Sequence, residues 1–307
     1  MPASEVNAHA HLVGVDWGTT SLRAYRYDTQ GQVLETRSSA QGLTAGPPGG
    51  FEQVLLDLAG DWLASDGKTP VLMCGMIGSR SGWVEAPYVV CSAGLPEIAA
   101  NLVKLDTAVA DARIVPGVRT AEGAEFVEVM RGEEVQVLGA VEGSAPHRVV
   151  APGTHSKWIE VDGGAIATCA TYLTGELFAV LSRHSILGQL MQGAAFDEAA
   201  FRLGVTRALR EPDLLRQLFT VRTEALFARI APEAASAYLS GLLIGTEVGS
   251  GLTRTSAAPI LVVGRPEIAA CYALALAAAG AADVTTVDGD QASASGLWKI
   301  HQASARR

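Results

Sequence analysis

Leu12-Val-Gly-Val-Asp16-Trp-Gly18-Thr19-Thr20-Ser21-Leu-Arg23 runs an apolar segment into a carboxylate, then into a glycine-led turn carrying three hydroxyl side chains, and out again into an alternating segment that ends at Tyr27. The pattern predicts a buried strand, a tight turn and a returning strand. A carboxylate at a strand end beside backbone amides and hydroxyls is also a donor and acceptor set that can hold phosphates while the acid stands near a hydrated Mg²⁺. An ordinary hairpin, with Asp16 and the threonines supplying turn hydrogen bonds, has the same local sequence.

Working outward, Asp28-Thr-Gln-Gly31 is a second turn signal and 32–37 a third strand, so the chain opens with an antiparallel meander. A Gly/Pro-rich loop at 46–50 leads to Val54, Leu55, Leu58, Trp62 and Leu63 at helical spacing, then to a short apolar strand at 71–74. A helix over 98–105, a strand over 112–116 and a helix over 133–141 complete a β-rich start followed by βα units. The opening then recurs. Ala151-Pro-Gly153-Thr154-His-Ser156 superposes Gly, Thr and Ser on the first turn at an offset of 135 residues, again after an apolar strand. Strands at 158–161 and 165–168 flank the turn Asp162-Gly163-Gly164. Helices are predicted at 175–182, 197–203, 212–226 and 234–248, a strand at 260–263, and helices at 266–279 and 290–302. Two similarly built α/β domains are implied, divided as 1–147 and 148–307, with the terminal helix packing back on the first.

Composition bounds the partners. The 307 residues are 49% hydrophobic and 18% charged, with a mean hydropathy of +0.24, enough apolar surface for about two cores of ~150 residues and too much for a disordered chain. Acidic residues outnumber basic ones by 32 to 23, which argues against nucleic acid or an anionic membrane as the main target. Cys74, Cys91, Cys169 and Cys271 are far apart with no C-x-x-C pair, as expected of small buried hydrophobes in a reducing compartment. The first eleven residues lack a signal-peptide pattern, and the apolar stretch 269–282 is too short for about 30 Å of hydrocarbon, so a soluble, cytoplasmic protein is expected.

Three motifs are set aside. Gly67-Lys68-Thr69 lacks the first glycine of a P-loop and runs into Pro70; Gly78-Ser-Arg-Ser-Gly82 has Arg80 where a nucleophile elbow needs serine; and the six histidines, His9 and His11 among them, show no metal-ligand spacing.

The paired turns, the later Leu-Val-Val-Gly264 with its helix, and the duplication resemble the acetate and sugar kinase, heat-shock chaperone and actin superfamily. More closely, 13–23, Cys74-Gly-Met-Ile-Gly-Ser79, Met130-Arg-Gly-Glu-Glu134, 151–158, Thr174-Gly-Glu-Leu-Phe178 and Ser240-Gly-Leu-Leu-Ile-Gly245 resemble the 2-dehydro-3-deoxygalactonokinase family over nearly the whole chain. The resemblance implies two duplicated actin-like ATPase (ribonuclease H-like) domains around a nucleotide cleft, and ATP-dependent phosphorylation of the 6-hydroxyl of 2-dehydro-3-deoxy-D-galactonate in galactonate catabolism. It implies that Asp16 orients Mg²⁺ through water, that Gly18, Thr19 and Thr20 contact the β- and γ-phosphates of ATP, and that Gly153 and Thr154 receive phosphate from the other domain. Gly264 with Arg265 matches the adenosine motif, the glycine pair of related kinases being reduced here to one. Glu133 or Glu134, with Glu133 preferred, stands where related sugar kinases carry the base that accepts the hydroxyl proton. Ser79, Arg80, Arg131 and Lys157 are the candidate contacts to the sugar acid, an arginine suiting its carboxylate best. A homodimer is the assembly to test for. A kinase of another sugar would keep both turns and change the pocket; a nucleotide-dependent switch would need a client-binding segment.

Overall fold

The computed structural model describes residues 10–46, 50–64, 68–107, 110–191, 196–253 and 258–306. Most of the loop 46–50, His9 and the start of the P-loop-like Gly67-Lys68-Thr69 lie outside them. Contacts divide the chain into one unit of 1–145, 161–169 and 289–307 and a second of 146–160 and 170–288.

In the first unit, β1 (Leu12–Trp17), β2 (Leu22–Tyr27) and β3 (Val33–Ser39) form the expected meander. After α1 (Gly50–Ala59), β4 (Pro70–Gly75) returns parallel to β1, with Asp16 opposite Cys74 and Trp17 opposite Gly75. β5 (Tyr88–Val90), α2 (Leu95–Ala100), β6 (Val103–Lys104), β7 (Asp111–Ile114), β8 (Gly117–Arg119), β9 (Val129–Met130) and α3 (Glu133–Ala140) follow. The main sheet has the order β3-β2-β1-β4-β7-β6, beside a small sheet β5-β8-β9. The helix expected over 98–105 is found at Leu95–Ala100, because Val103 and Lys104 leave it to pair antiparallel with β7 at the sheet edge. Val13, Val15 and Trp17 are wholly buried; β1 is central and covered on both faces, which its nearly unbroken apolar run requires.

The second sheet is built from β10 (His147–Ala151), β11 (Ser156–Asp162) and β12 (Ala165–Tyr172). Gly163 and Gly164 joining β11 to β12 have φ of 59° and 77°, the left-handed pair of a type I′ hairpin. Four helices follow: α4 (Thr174–His184), α5 (Glu198–Arg210), α6 (Leu214–Leu226) and α7 (Ala235–Thr253). Asp197 and Asp213 cap α5 and α6 by accepting from the amides of Ala200 and Arg216. Then come β13 (Ile260–Gly264), α8 (Pro266–Ala278), β14 (Val284–Asp288) and α9 (Gly289–Ala305). The order β12-β11-β10-β13-β14, with β13 parallel to β10 and β14 parallel to β13, repeats the order β3-β2-β1-β4-β7 of the first sheet. The duplication in the sequence is therefore a duplication of sheet topology, the two-unit α/β arrangement that the paired turns predict.

Backbone approach within the second unit depends on α5 and α7 crossing through glycines. A Cβ on Gly241 would stand 2.1 Å from the Phe201 carbonyl oxygen, and one on Gly204 would stand 2.4 Å from that of Tyr238. The 240–245 stretch is thus a helix-packing seam. α9 packs on α3 in the first unit, its Leu297 and Ile300 wholly buried. Among the described residues, no helix is long and apolar enough to cross a membrane.

Candidate active site

In the first unit the ends of β1 and β4 and the start of α3 converge. Asp16, half-buried at the end of β1, accepts a hydrogen bond from Ser293 Oγ at 2.9 Å. Burial pushes its carboxyl pKa up, Ser293 and Arg23 oppose the shift, and the nearby Glu133 adds to it. The next turn is held from outside: the Gly18 amide donates to the Ser21 carbonyl at 2.9 Å, while Leu43 and Thr44 donate to the carbonyls of Gly18 and Thr19 at 3.1 and 3.0 Å. Gly42 lets that bracing segment approach, since a Cβ there would sit 2.3 Å from the Ser21 amide nitrogen. Thr19 and Thr20 are exposed, and their amides donate to no acceptor among the described residues.

Gly75 (φ 88°) and Gly132 (φ 109°) turn β4 and the approach to α3 in conformations that favour glycine, and a Cβ on Gly132 would meet the Gly75 Cα at 3.3 Å. Glu134 is fully buried and both its oxygens accept from the Gly132 amide, at 2.9 and 2.7 Å. Burial first, and then Glu133, push its pKa up to about 8. Glu133 is half-buried, with Oε2 accepting from the Arg131 amide at 3.0 Å. Burial and the combined fields of Asp16, Glu134 and Glu133 drive the Cys74 thiol well above its ordinary pKa, so the three carboxylates share one neighbourhood.

Arg131 donates from Nη2 to the Ala86 carbonyl at 2.7 Å and lies over the Tyr88 ring at 4.4 Å. Its Nε and Nη1 are buried without a hydrogen-bond partner, as is the Ser79 hydroxyl, and Nη1 lies against Gly78. Buried donors are costly to leave unmatched, so these groups are ones that a water or a ligand oxygen would satisfy. Arg80 differs: its side chain is exposed and faces Glu85 at 3.5 Å.

In the second unit, the turn 152–155 leaves Gly153, Thr154 and His155 exposed between β10 and β11. The first turn of α4 packs onto it. The Glu176 amide donates to the Thr154 carbonyl at 2.9 Å, Glu176 meets His155 at 2.5 Å, and a Cβ on Gly175 would stand 2.3 Å from the Gly153 carbonyl oxygen. Lys157 is buried on β11 in this unit. Gly264 ends β13, where an added Cβ would stand 3.5 Å from Pro152 Cδ, and the exposed Arg265 immediately precedes α8. A cavity of about 140 Å³ opens beside the turn, walled by Gly153, Phe178, Leu243, Ile244, Ile268 and Tyr272. A roomier cavity, about 540 Å³, lies in the first unit along β2, β3 and α9, away from the glutamates; the ion pair of Arg23 and Asp290 is on its wall.

Neither Ser293 nor Glu247 carries a sequence motif. Glu247, buried on α7, accepts from Ser156 Oγ at 2.6 Å, Trp158 Nε1 at 2.8 Å, Tyr272 OH at 2.6 Å, and Thr174 Oγ1. A lone acid inside the apolar run 235–248 is the only trace it leaves, since a buried carboxylate must find donors.

The sequence model of the family described as 2-keto-3-deoxy-galactonokinase matches residues 16–300. An Escherichia coli protein named 2-dehydro-3-deoxygalactonokinase is 38% identical over 297 residues, covering 96% of this chain and 99% of its own. A Rhizobium meliloti protein named for the same activity is 37% identical over 294 residues, covering 94% and 95%. A crystal structure from Sinorhizobium meliloti, titled with that activity, superposes with a TM-score of 0.86 at 35% identity over 95% of this chain and 98% of that one. A 2-hydroxyisocaproyl-CoA dehydratase activator from Clostridium difficile, at 12% identity and a TM-score of 0.52 over 96% of both chains, shares the fold.

Proposed function

The chain belongs to the 2-keto-3-deoxy-galactonokinase family, and from that premise we propose that it transfers the γ-phosphoryl group of ATP to the 6-hydroxyl of 2-dehydro-3-deoxy-D-galactonate in galactonate catabolism. The observation that carries the reading is the meeting of Asp16 and Glu133 beside a turn with open amides at Thr19 and Thr20.

Phosphoryl transfer asks mainly for positioning and charge neutralisation. Gly18, Thr19 and Thr20 are assigned to the β- and γ-phosphates, and Gly153 and Thr154 to phosphate in the second unit. The apolar cavity beside Gly153 would suit a purine face, and Gly264 and Arg265 are assigned to the adenosine. Mg²⁺ fits the donors on hand, since it keeps several waters and takes one or two carboxylates, and Asp16 stands with Glu133 close by. Asp16 would hold it through water, and the bound ion would neutralise the phosphates. Glu133, half-buried, accepts the proton of the 6-hydroxyl as its oxygen bonds to phosphorus and the bond to the ADP oxygen breaks. Glu133 is held by the Arg131 amide, while Glu134 is bound back onto the Gly132 amide. The unmatched donors of Arg131 and Ser79 are assigned to the sugar-acid carboxylate, ahead of Arg80 and Lys157.

The test is ADP release with Mg²⁺ and ATP against 2-dehydro-3-deoxy-D-galactonate, its gluconate epimer, neutral hexoses and no sugar, with the product identified by mass. Phosphorylation confined to the galactonate compound, and lost in Asp16→Asn, is the expected result. Activity on another sugar alone would reject the substrate, and sugar-independent hydrolysis would reject the kinase.

A further inference from the structure

We infer that Glu247 is the positioning residue of the second phosphate turn, an inference resting on the reading of 152–155 as that turn. The turn has two flanks. One is Ser156, the residue after it; the other is the start of α4, where Thr174 precedes the Gly175 and Glu176 that touch Gly153 and Thr154. Glu247 holds both: Oε1 accepts from Ser156, and Oε2 accepts from Thr174 and, at 2.6 Å, from Tyr272 of α8. The Tyr272 hydroxyl, whose single proton goes to Glu247 at the shorter distance, also lies 3.2 Å from Ser156 Oγ. The Trp158 indole donates to Oε1 at 2.8 Å, and its ring lies where a Cβ on Gly251 would sit. One carboxylate on α7 thus ties together β11, α4 and α8 around the turn.

An apolar core would hold these helices equally well, and a buried carboxylate is weak support for stability alone. Four directed donors do something packing does not: they fix the rotation of Ser156 and Thr174, and with them the path of the exposed residues between the flanks. The geometry also says which substitution is informative. The Trp158 N–H can only donate, so in Glu247→Gln the amide oxygen must take the Oε1 place, and its NH₂ then faces the hydroxyls of Thr174 and Tyr272. Those two must reverse their roles. The Ser156 side stays intact while the tie to α4 is rebuilt, at nearly constant volume.

Glu247→Gln, and Ser156→Ala as a milder variant that keeps the carboxylate, are to be compared with wild type for binding of Mg²⁺ and ATP by calorimetry without sugar, for KM of each substrate, and for melting temperature. Losing an outer-shell partner behind a metal ligand costs about 10- to 100-fold, and that scale is taken over for a carboxylate behind a phosphate turn. For Glu247→Gln the expected result is ATP affinity and KM worse by about tenfold, at the low end of that scale, with the sugar-acid KM within twofold of wild type; Ser156→Ala moves the same way by less. Variants that melt lower yet bind ATP like wild type overturn the inference, since a purely structural carboxylate behaves that way. If Glu247→Gln does not fold, unchanged ATP binding by Ser156→Ala overturns it and weakened binding supports it. Wild-type protein that binds ATP without phosphorylating the sugar acid rejects the substrate and leaves the binding comparison decisive. Wild-type protein that binds no ATP rejects both.

Discussion

Two adjacent glutamates with different surroundings do different work. Glu134 accepts twice from its own turn inside the core, while Glu133 is half-open beside Asp16. Raising the Glu134 pKa from 4.5 to about 8 means the folded protein holds a proton that the unfolded chain releases. Between those two values the folded state binds more protons, so its stability falls as pH rises, by on the order of a few kcal/mol, and levels off above about 8. Glu134→Gln cannot titrate there. Melting temperatures from pH 5 to 8 should therefore decline less steeply in Glu134→Gln than in wild type, and equal slopes would reject the buried, protonated Glu134. Turnover should divide the other way: Glu133→Gln should lose about 10²- to 10⁴-fold in kcat, the scale of a positioned general base, and Glu134→Gln considerably less. The larger loss in Glu134→Gln would reverse the roles.

Elements divide by how locally their causes lie. Glycines of α7 make the point within one helix. Gly241→Ala would drive a methyl to 2.1 Å from the backbone oxygen of Phe201, which cannot yield without separating α5 from α7, whereas at Gly249 the nearest atom is the free end of Leu209 at 3.4 Å. The urea midpoint should fall in Gly241→Ala and rise in Gly249→Ala, the latter by up to ~1 kcal/mol of helix propensity; a fall in both would mean that Leu209 cannot move aside. Such seams are invisible in spacing alone. The meander, both turns and most helices were legible because strand alternation, Asp and Gly turn signals and 3.6-residue periodicity are local. β14 was not: Val-Thr-Thr-Val is short, half-polar and at the sheet edge, and only its pairing with β13 makes it a strand. Nor was the end of α2, which pairing with β7 decides. Asp16 could be read because it ends an apolar strand before a glycine turn, but the partners of Glu247 lie 91, 89, 73 and 25 residues away. No local pattern encodes that distance.

At the scale of the molecule, the first unit is assembled from segments that lie on either side of the second in sequence. Residues 289–306 belong with 10–145 although helices α4 to α8 lie between them in sequence. α9 is not an appendage there: Leu297 and Ile300 are wholly buried, the Tyr27 hydroxyl donates to the Ala294 carbonyl at 2.8 Å, and Lys299 donates to the carbonyls of Leu138, Gly139 and Val141 at the end of α3. The contact with α3 is backbone-close, since a Cβ on Gly139 would meet the Ala292 carbonyl oxygen at 1.9 Å. Each buried aliphatic side chain stabilises by about 1.5–3 kcal/mol, so losing two of them and the Lys299 bonds removes a large share of the 5–15 kcal/mol that a domain typically has. Ser293 would go with them, taking the hydrogen-bond donor from Asp16. A chain stopped after Asp288 should therefore lose amide-exchange protection in β1, β4 and α3 while β10, β13 and α7 keep theirs. Protection retained in β1 and β4 would mean that the first sheet closes its core without α9, and that Asp16 is held in place by the β1–β4 pairing alone.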